Sequence, residues 1–187
     1  MNKKTIALAL SAALVGFSSV AIAAGPTTGN LNFTFSGNIP ALPSSGDGWA
    51  FVQADGTPYV APSSISLSSQ DTADGVQLIS TSETFYIKPN SGNFTTSSKI
   101  TAMLTSNPAI SGTAVKAGKA GDVEMVVSVN GVTLPVGTSA DVATPVNGDP
   151  VSLSLGTVID IPSEARTAEG GVLTVSVPIR FSADIGA

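Results

Sequence analysis

Apolar and polar side chains alternate in many short runs along the chain, and turn-forming residues separate these runs. Alternation at every second position is the pattern of a strand with one buried face, and a series of such strands is typical of a β-sandwich. We find no convincing helix. The sequence therefore predicts an all-β fold with strands at 49–53, 64–67, 76–79, 84–88, 99–104 and 151–162, the last interrupted near Gly156.

The clearest local pattern is a hairpin at 123–136. Val123, Met125, Val127 and Val129 alternate with polar residues up to the pair Asn130-Gly131. This pair readily takes the positive φ angles of a tight turn. The preceding segment, 109–122, mixes glycine with two lysines and is predicted to be an exposed loop.

The C-terminal run GGVLTVSVPIRFSADIGA has the strictest alternation in the chain. It predicts one long strand that faces a core. Pro178 has no N–H to donate, so it belongs where one side of the strand is unpaired or irregular. The inward positions are Leu173, Val175, Val177, Ile179 and Phe181.

Residues 1–23 have the pattern of a cleaved secretory signal peptide. Lys3 and Lys4 precede an apolar run that ends in the small residues Ala21-Ile22-Ala23. A retained membrane anchor is the alternative, but the apolar stretch is short and polar residues interrupt it. We expect an exported chain that starts at Ala24 and forms a single domain.

Composition excludes several kinds of chemistry. The chain has no His and no Cys, a formal net charge of −5, and 11% charged residues. Imidazole bases, Cys nucleophiles and thiolate metal sites are therefore excluded. The sequence has no basic cluster to match a phosphate backbone, so nucleic acid is not an expected partner. We expect no cofactor, no metal and no catalytic activity.

The remaining polar and aromatic candidates each have a simpler interpretation. Asp71 with Asp74, or Asp122 with Glu124, would be the nearest carboxylate pairs for glycoside hydrolysis, but they look like surface acids. The run DTADG at 71–75 faintly matches a calcium loop, yet it lacks the full spacing and predicts a turn. The aromatic residues Trp49, Tyr59 and Tyr86 are dispersed along the sequence, which is typical of core or rim residues. The functional alternative is that they stack on a sugar ring.

A second strand-like run, GNLNFTFSGNIPALPSS at 29–45, follows the expected cleavage site. Its alternate positions are Leu31, Phe33, Phe35, Gly37 and Ile39. Such a segment can add a strand to the incomplete sheet of a neighbouring molecule, with side chains filling pockets. It can equally pair inside its own subunit as a first strand, and the pattern alone leaves both readings open.

The run NLNFTFSGNIP followed by WAFVQADGTPYVAPSSISL resembles the N-terminal part of the cysteine-free pilins of the alternate chaperone-usher class, the colonisation-factor-antigen-I type of fimbrial major subunit. The resemblance continues in order through KITAMLTSNPAI, EMVVSVNGVTL, VSLSLGTVIDIP and GGVLTVSVPIRF. Gln53-Ala54-Asp55-Gly56 is its sharpest piece. The ordered set carries the resemblance, since no single motif is specific.

The resemblance implies an Ig-like β-sandwich that is incomplete and is completed by a donor strand from a neighbouring subunit. It divides the chain into a signal peptide at 1–23, a donor-strand extension at 24–40 and a pilin domain at 41–187. The implied donor positions are Leu31, Phe33, Phe35, Gly37 and Ile39, and one edge of the acceptor groove is lined by Leu173, Val175, Val177, Ile179 and Phe181.

The same resemblance implies partners and a location. The partners are identical or related pilin subunits, a periplasmic chaperone and an outer-membrane usher, with a host-surface glycan or protein as a further candidate. The chain would pass through the periplasm to the cell surface as a fimbrium. The main alternative is a secreted monomeric carbohydrate-binding β-sandwich, and an exported enzyme is a weaker alternative because His and Cys are missing.

Overall fold

A computed structural model describes residues 48–144 and 150–184. These residues form antiparallel sheets with no α-helix, consistent with the predicted all-β sandwich. A short 3₁₀ turn lies at Ala120–Asp122. The strands are β1 (Trp49–Val52), β2 (Leu67–Asp71), β3 (Gly75–Ser80), β4 (Glu83–Pro89), β5 (Lys99–Leu104), β6 (Ala109–Gly112), β7 (Glu124–Val129), β8 (Val132–Thr133), β9 (Ala140–Ala143), β10 (Val151–Pro162), β11 (Leu173–Ser176) and β12 (Ile179–Asp184).

The first sheet is built around β10, which pairs with β7 along one edge and with β4 and then β3 along the other. Strand β2 extends the sheet beside β3, and β1 extends it beside β4. β10 runs unbroken through Gly156, so the predicted interruption of this strand is wrong. The irregularity lies instead where its pairing passes from β4 to β3. Leu155 pairs with Glu83 of β4, and an unbroken register would then pair Val158 with Ser80. Val158 instead pairs with Ile79 of β3.

The second layer contains β12–β5–β9 and the pair β11–β6. The C-terminal run is therefore two strands, and the prediction of one continuous strand is wrong. The break falls at Val177-Pro178, which confirms that Pro178 occupies an irregular position. Its carbonyl accepts a hydrogen bond of 3.0 Å from the N–H of Thr105.

The core lies between the two layers and consists of two clusters. The larger joins Phe85, Ile87 and Leu153 of the first sheet to Ile100 and Ala102 of the second. The smaller contains Val76, Ile159, Ile161 and Ala165. Full burial of each large apolar side chain stabilises the fold by roughly 1.5–3 kcal/mol, so the shared core holds the layers together.

The predicted hairpin forms as β7 and β8. Asn130 and Gly131 take φ angles of 52° and 77°. Gly131 adopts this region without steric cost, and Asn is the residue that otherwise tolerates it best. The hairpin prediction is confirmed.

Two other segments differ from the sequence prediction. The segment 109–122 is not all loop, because Ala109–Gly112 forms β6 and pairs with β11. The strand predicted at 64–67 instead starts at Leu67 and continues to Asp71. Four of its five residues are exposed, and this polar edge strand has no apolar alternation by which it could be recognised.

A candidate groove between two sheet edges

The inward row of β11 and β12 has the alternation that the sequence predicts. Leu173 and Val175 pack against the smaller core cluster, while Ile179 and Phe181 pack against the larger one. Val177, between the strands, also packs against the larger cluster. All five side chains are half-buried and none is fully buried. Their neighbours Thr174, Ser176, Arg180 and Ser182 are exposed.

One edge of these two strands carries their partners. Within the described residues, β11 pairs with β6 and β12 pairs with β5, and no other strand pairs with either. A β-strand has two hydrogen-bonding edges, and an unpaired edge can accept another extended chain. Among the described residues, the half-buried row from Leu173 to Phe181 therefore lies on strands that pair along one edge only.

A cavity of about 590 Å³ lies beside β2, β3 and the start of β11. Leu67 of β2 and Leu173 of β11 both line it, and Leu173 is the residue of the inward row that reaches it. Val76, Leu78 and Ile161 contribute further apolar surface from the first sheet. The result is a groove lined by apolar side chains together with the polar residues Ser69, Asp71 and Arg166, and we call it the edge groove.

The polar rim of the edge groove includes an ion pair. Arg166 Nη1 lies 3.5 Å from Asp71 Oδ1, and both side chains are largely exposed. Exposed pairs of this kind contribute little to stability, at most about 1 kcal/mol. The pair marks the rim and does not hold the walls together.

Gly112 lets β6 lie close to the segment that leads into β11. Its φ is 119°, and a Cβ at this position would lie 2.1 Å from the carbonyl oxygen of Val172. A side chain would clash with backbone that cannot move aside independently of the strand. The position of Leu173 on the groove wall thus depends on a glycine across the ladder.

Aromatic side chains fill the interior at the other end of the row. The rings of Phe51 and Phe181 lie 5.6 Å apart between centroids, and each also contacts Phe85 at 5.7 and 5.5 Å. Edge-to-face contacts at such distances are favourable. The two layers are therefore in contact through Phe51 and Phe181, whereas Leu67 and Leu173 line a cavity. Sequence reasoning placed Phe181 on the inward row but did not identify Phe51 as its partner.

The predicted donor positions Leu31, Phe33, Phe35, Gly37 and Ile39 lie outside the described residues. The structure therefore supplies the groove wall and not the segment that would occupy it.

The three dispersed aromatic residues separate into two environments. Trp49 is 5% exposed and packs on Phe51 at 5.0 Å, so it is a core residue. Tyr59 and Tyr86 instead line a separate cleft together with Glu83. The Tyr59 hydroxyl donates a 2.8 Å hydrogen bond to Glu83 Oε1.

The acidic residues behave as surface groups in the described part of the chain. Lys119 Nζ lies 2.7 Å from Asp122 Oδ2, and Asp71 forms an ion pair with Arg166. The DTADG segment is a turn between β2 and β3, in which the N–H of Thr72 donates to the carbonyl of Gly75. Among residues 48–144 and 150–184, no group of three or more acidic side chains is arranged to hold a metal ion.

Comparison with known proteins adds no family assignment. No protein-family model matches the chain, and no curated protein matches it either. In the part of the chain that the structure describes, no helix is long and apolar enough to cross a membrane. A functional conclusion must therefore come from the groove and the sequence pattern.

Proposed function

We propose that this protein is a structural subunit of a surface fibre, in which an Ig-like sandwich is completed by an extended segment from a neighbouring copy. The observation that carries the proposal is the half-buried apolar row on β11 and β12, two strands that pair along one edge only among the described residues, with the edge groove at the Leu173 end of the row. The proposed occupant is the segment 29–39 of a second copy.

The length and chemistry of that segment support the assignment. The donor positions from Leu31 to Ile39 and the inward row from Leu173 to Phe181 each place five alternate residues along a run of equal length, so two extended chains would match. Alternate apolar side chains in the segment would face the groove, while its backbone would pair with the open strand edge. Gly37, without a side chain, suits a place where the groove is already filled or shallow.

Burial of the apolar donor side chains would supply a substantial driving force. Leu31, Phe33, Phe35 and Ile39 would together contribute roughly 6–12 kcal/mol if each were buried fully, an upper bound before the cost of ordering the segment. A contact of this size can hold a fibre together without a disulfide, and the chain has no cysteine to form one.

The proposal also gives a reason for assembly partners. Before a donor strand arrives, the edge groove would expose apolar surface and unpaired backbone, which favours aggregation. A periplasmic chaperone would cover it until an outer-membrane usher adds the subunit to the fibre. The ordered resemblance to cysteine-free pilins supports this route and the proposed adhesive role at the cell surface.

Three versions of the exported chain test the proposal. The first is residues 24–187, the second lacks 24–40, and the third lacks 24–40 but carries 29–40 after Ala187 through a flexible linker. We expect the first to form ladders, the second to be unstable and the third to be a stable monomer, as judged by size exclusion and thermal melting.

A matched control sharpens this comparison. In the control graft, Leu31, Phe33 and Phe35 are replaced by Ser, so the segment keeps its length and loses its apolar face. Rescue by the native graft and not by the control supports strand addition. A stable, monomeric intact chain whose own first strand pairs internally would contradict polymerisation and favour the secreted binding module.

A further inference from the structure

A second cleft, separate from the edge groove, lies beside β1 and β4. Its volume is about 380 Å³, and it is lined by Gln53, Tyr59, Glu83, Thr84 and Tyr86, with Ala54 and Val60 at its margin. It combines two aromatic rings with a carboxylate and an amide. The proposed assembly uses none of these side chains.

Hydrogen bonds and packing fix one wall of this cleft. The Tyr59 ring lies 5.3 Å from that of Phe85, and its hydroxyl donates to Glu83 Oε1 at 2.8 Å. Burial, followed by the contact with Glu83, raises the pKa of Tyr59 above its ordinary value of 10.0. The hydrogen bond from this hydroxyl holds the Glu83 carboxylate in one place.

The turn that carries Gln53 is also held by local hydrogen bonds. Asp55 Oδ1 accepts hydrogen bonds from the N–H and the hydroxyl of Thr57, at 2.9 and 2.6 Å. The hydroxyl bond and then the backbone bond of Thr57 lower the pKa of Asp55. The N–H of Gln53 donates to the carbonyl of Thr57 at 2.8 Å, which closes the turn. The cleft is thus largely formed before any ligand arrives.

Tyr86 provides an aromatic face on the outer side of the first sheet. Its neighbours along β4, Phe85 and Ile87, are buried, so alternation turns Tyr86 to the opposite face, where it is half-buried. Glu83 and Tyr59 lie on the Phe85 side of β4, so the cleft reaches around the strand edge, where Tyr86 and these hydrogen-bonding groups line it together. An aromatic ring beside hydrogen-bonding groups suits a ligand that has both an apolar C–H face and hydroxyl groups.

We propose that the cleft formed by Gln53, Tyr59, Glu83 and Tyr86 binds a neutral saccharide of one or two units. The C–H face of a sugar ring packs on Tyr86, and its hydroxyls donate to Glu83 and exchange hydrogen bonds with the Gln53 amide. The carboxylate of Glu83 disfavours an acidic sugar, because bringing two like charges together out of water is costly. The cleft volume lies at the small end of ligand sites, which excludes a long oligosaccharide.

The test is saturation-transfer NMR on the full exported chain. This measurement works on a monomer and on a fibre, so its outcome does not depend on the proposed assembly. The probes are glucose, galactose, lactose and cellobiose, with glucuronate and galacturonate as acidic counterparts of the first two. The variants are Tyr86→Ala and Glu83→Gln, and Val126→Ala is the control because Val126 is exposed on another strand.

We expect at least one neutral sugar to bind with a Kd on the order of 1 mM, as its few atoms allow. Tyr86→Ala weakens binding roughly tenfold, Val126→Ala leaves it unchanged, and the acidic counterpart binds more weakly than the neutral sugar. Glu83→Gln reduces the difference in affinity between the neutral sugar and its acidic counterpart. If thermal melting shows that Tyr86→Ala is unfolded, Glu83→Gln carries the test. The proposal is overturned if no neutral sugar shows saturation transfer, or if neither variant changes the transfer. It is also overturned if the acidic sugars bind as tightly as the neutral ones.

Discussion

Leu67 on β2 and Leu173 on β11 line one cavity although they belong to different sheets. In a closed sandwich, side chains at such positions contact each other or a strand between them. Here Phe51 and Phe181 are in contact, while the two leucines line a groove. An extended chain could fill this groove.

Phe181 should contribute more to stability than its neighbour Arg180. Phe181 contacts Phe51 and Phe85, whereas Arg180 points to the exposed face. We expect Phe181→Ala to lower the free energy of unfolding by about 2 kcal/mol, less than a fully buried Phe because the ring is half-buried. Urea unfolding measures this loss of unfolding free energy. Arg180→Ala is the control, and we expect its unfolding free energy to lie within about 0.5 kcal/mol of that of the native chain. Equal effects would show that the inward row does not pack as described.

The Asn130 side chain should matter although the residue is exposed. Its Oδ1 accepts from the N–H of Ser154 at 2.8 Å, and its amide donates to the carbonyl of Val142 at 3.1 Å. These bonds tie the β7–β8 hairpin to β10 and β9. Asn130→Ala should cost about 1 kcal/mol in unfolding free energy, the net worth of such hydrogen bonds where water can reach the freed groups. Asn107→Ala, at an exposed site outside the strands, is the control, and an indistinguishable pair of melting curves would contradict the prediction.

Gly112 should tolerate no side chain. A Cβ would meet the Val172 carbonyl oxygen at 2.1 Å, and its φ of 119° is strained for any other residue. Gly112→Ala should destabilise the protein by about 1–3 kcal/mol. Gly121→Ala is a suitable control, because no atom lies within 4 Å of the added Cβ. A melting temperature for Gly112→Ala equal to that of Gly121→Ala would refute the close approach of β6 and the chain before β11.

Alkaline pH should destabilise the protein in part through Tyr59. Burial and Glu83 raise the pKa of Tyr59 in the folded state above its ordinary value of 10.0. The stability linked to this group is therefore fully present below pH 10.0 and declines above it, as the unfolded chain loses the proton first. Unfolding curves across this range should show a shallower decline in Tyr59→Phe than in the native chain. If Tyr86→Phe reduces the slope more than Tyr59→Phe, the assignment is wrong.

Alternation in the sequence was sufficient for strands with one clearly buried face. Strand β5 matches the predicted bounds, the β7–β8 hairpin forms at Asn130-Gly131, and the inward row from Leu173 to Phe181 is the predicted one. Alternation failed for β2, whose exposed polar residues belong to an edge strand, and for β6, which contains Ser and Gly. Those strands are fixed by pairing with β3 and β11, and that information is not local.

The edge groove could be predicted only in part for the same reason. Leu173 belongs to a row that follows from a regular sequence pattern, but its placement beside Leu67, Leu78 and Ile161 depends on how the sheets stack. The pairing of Tyr59 with Glu83 joins residues distant in sequence, and no spacing rule indicates it. Tertiary contacts thus determine which of the candidate residues lie in the same groove or cleft.

Cysteine cross-linking between copies tests the central claim most directly, because the chain has no native cysteine. Thr34→Cys lies between donor positions and should face outward, as do Ser176 and Ser182 on β11 and β12. Chains that carry Thr34→Cys together with either Ser176→Cys or Ser182→Cys are oxidised and separated on a denaturing gel. Donor-strand assembly predicts a covalent ladder of dimers and larger species from at least one pair. If the gel shows only monomers, whether they carry a disulfide within one chain or none, the result would contradict donor-strand assembly.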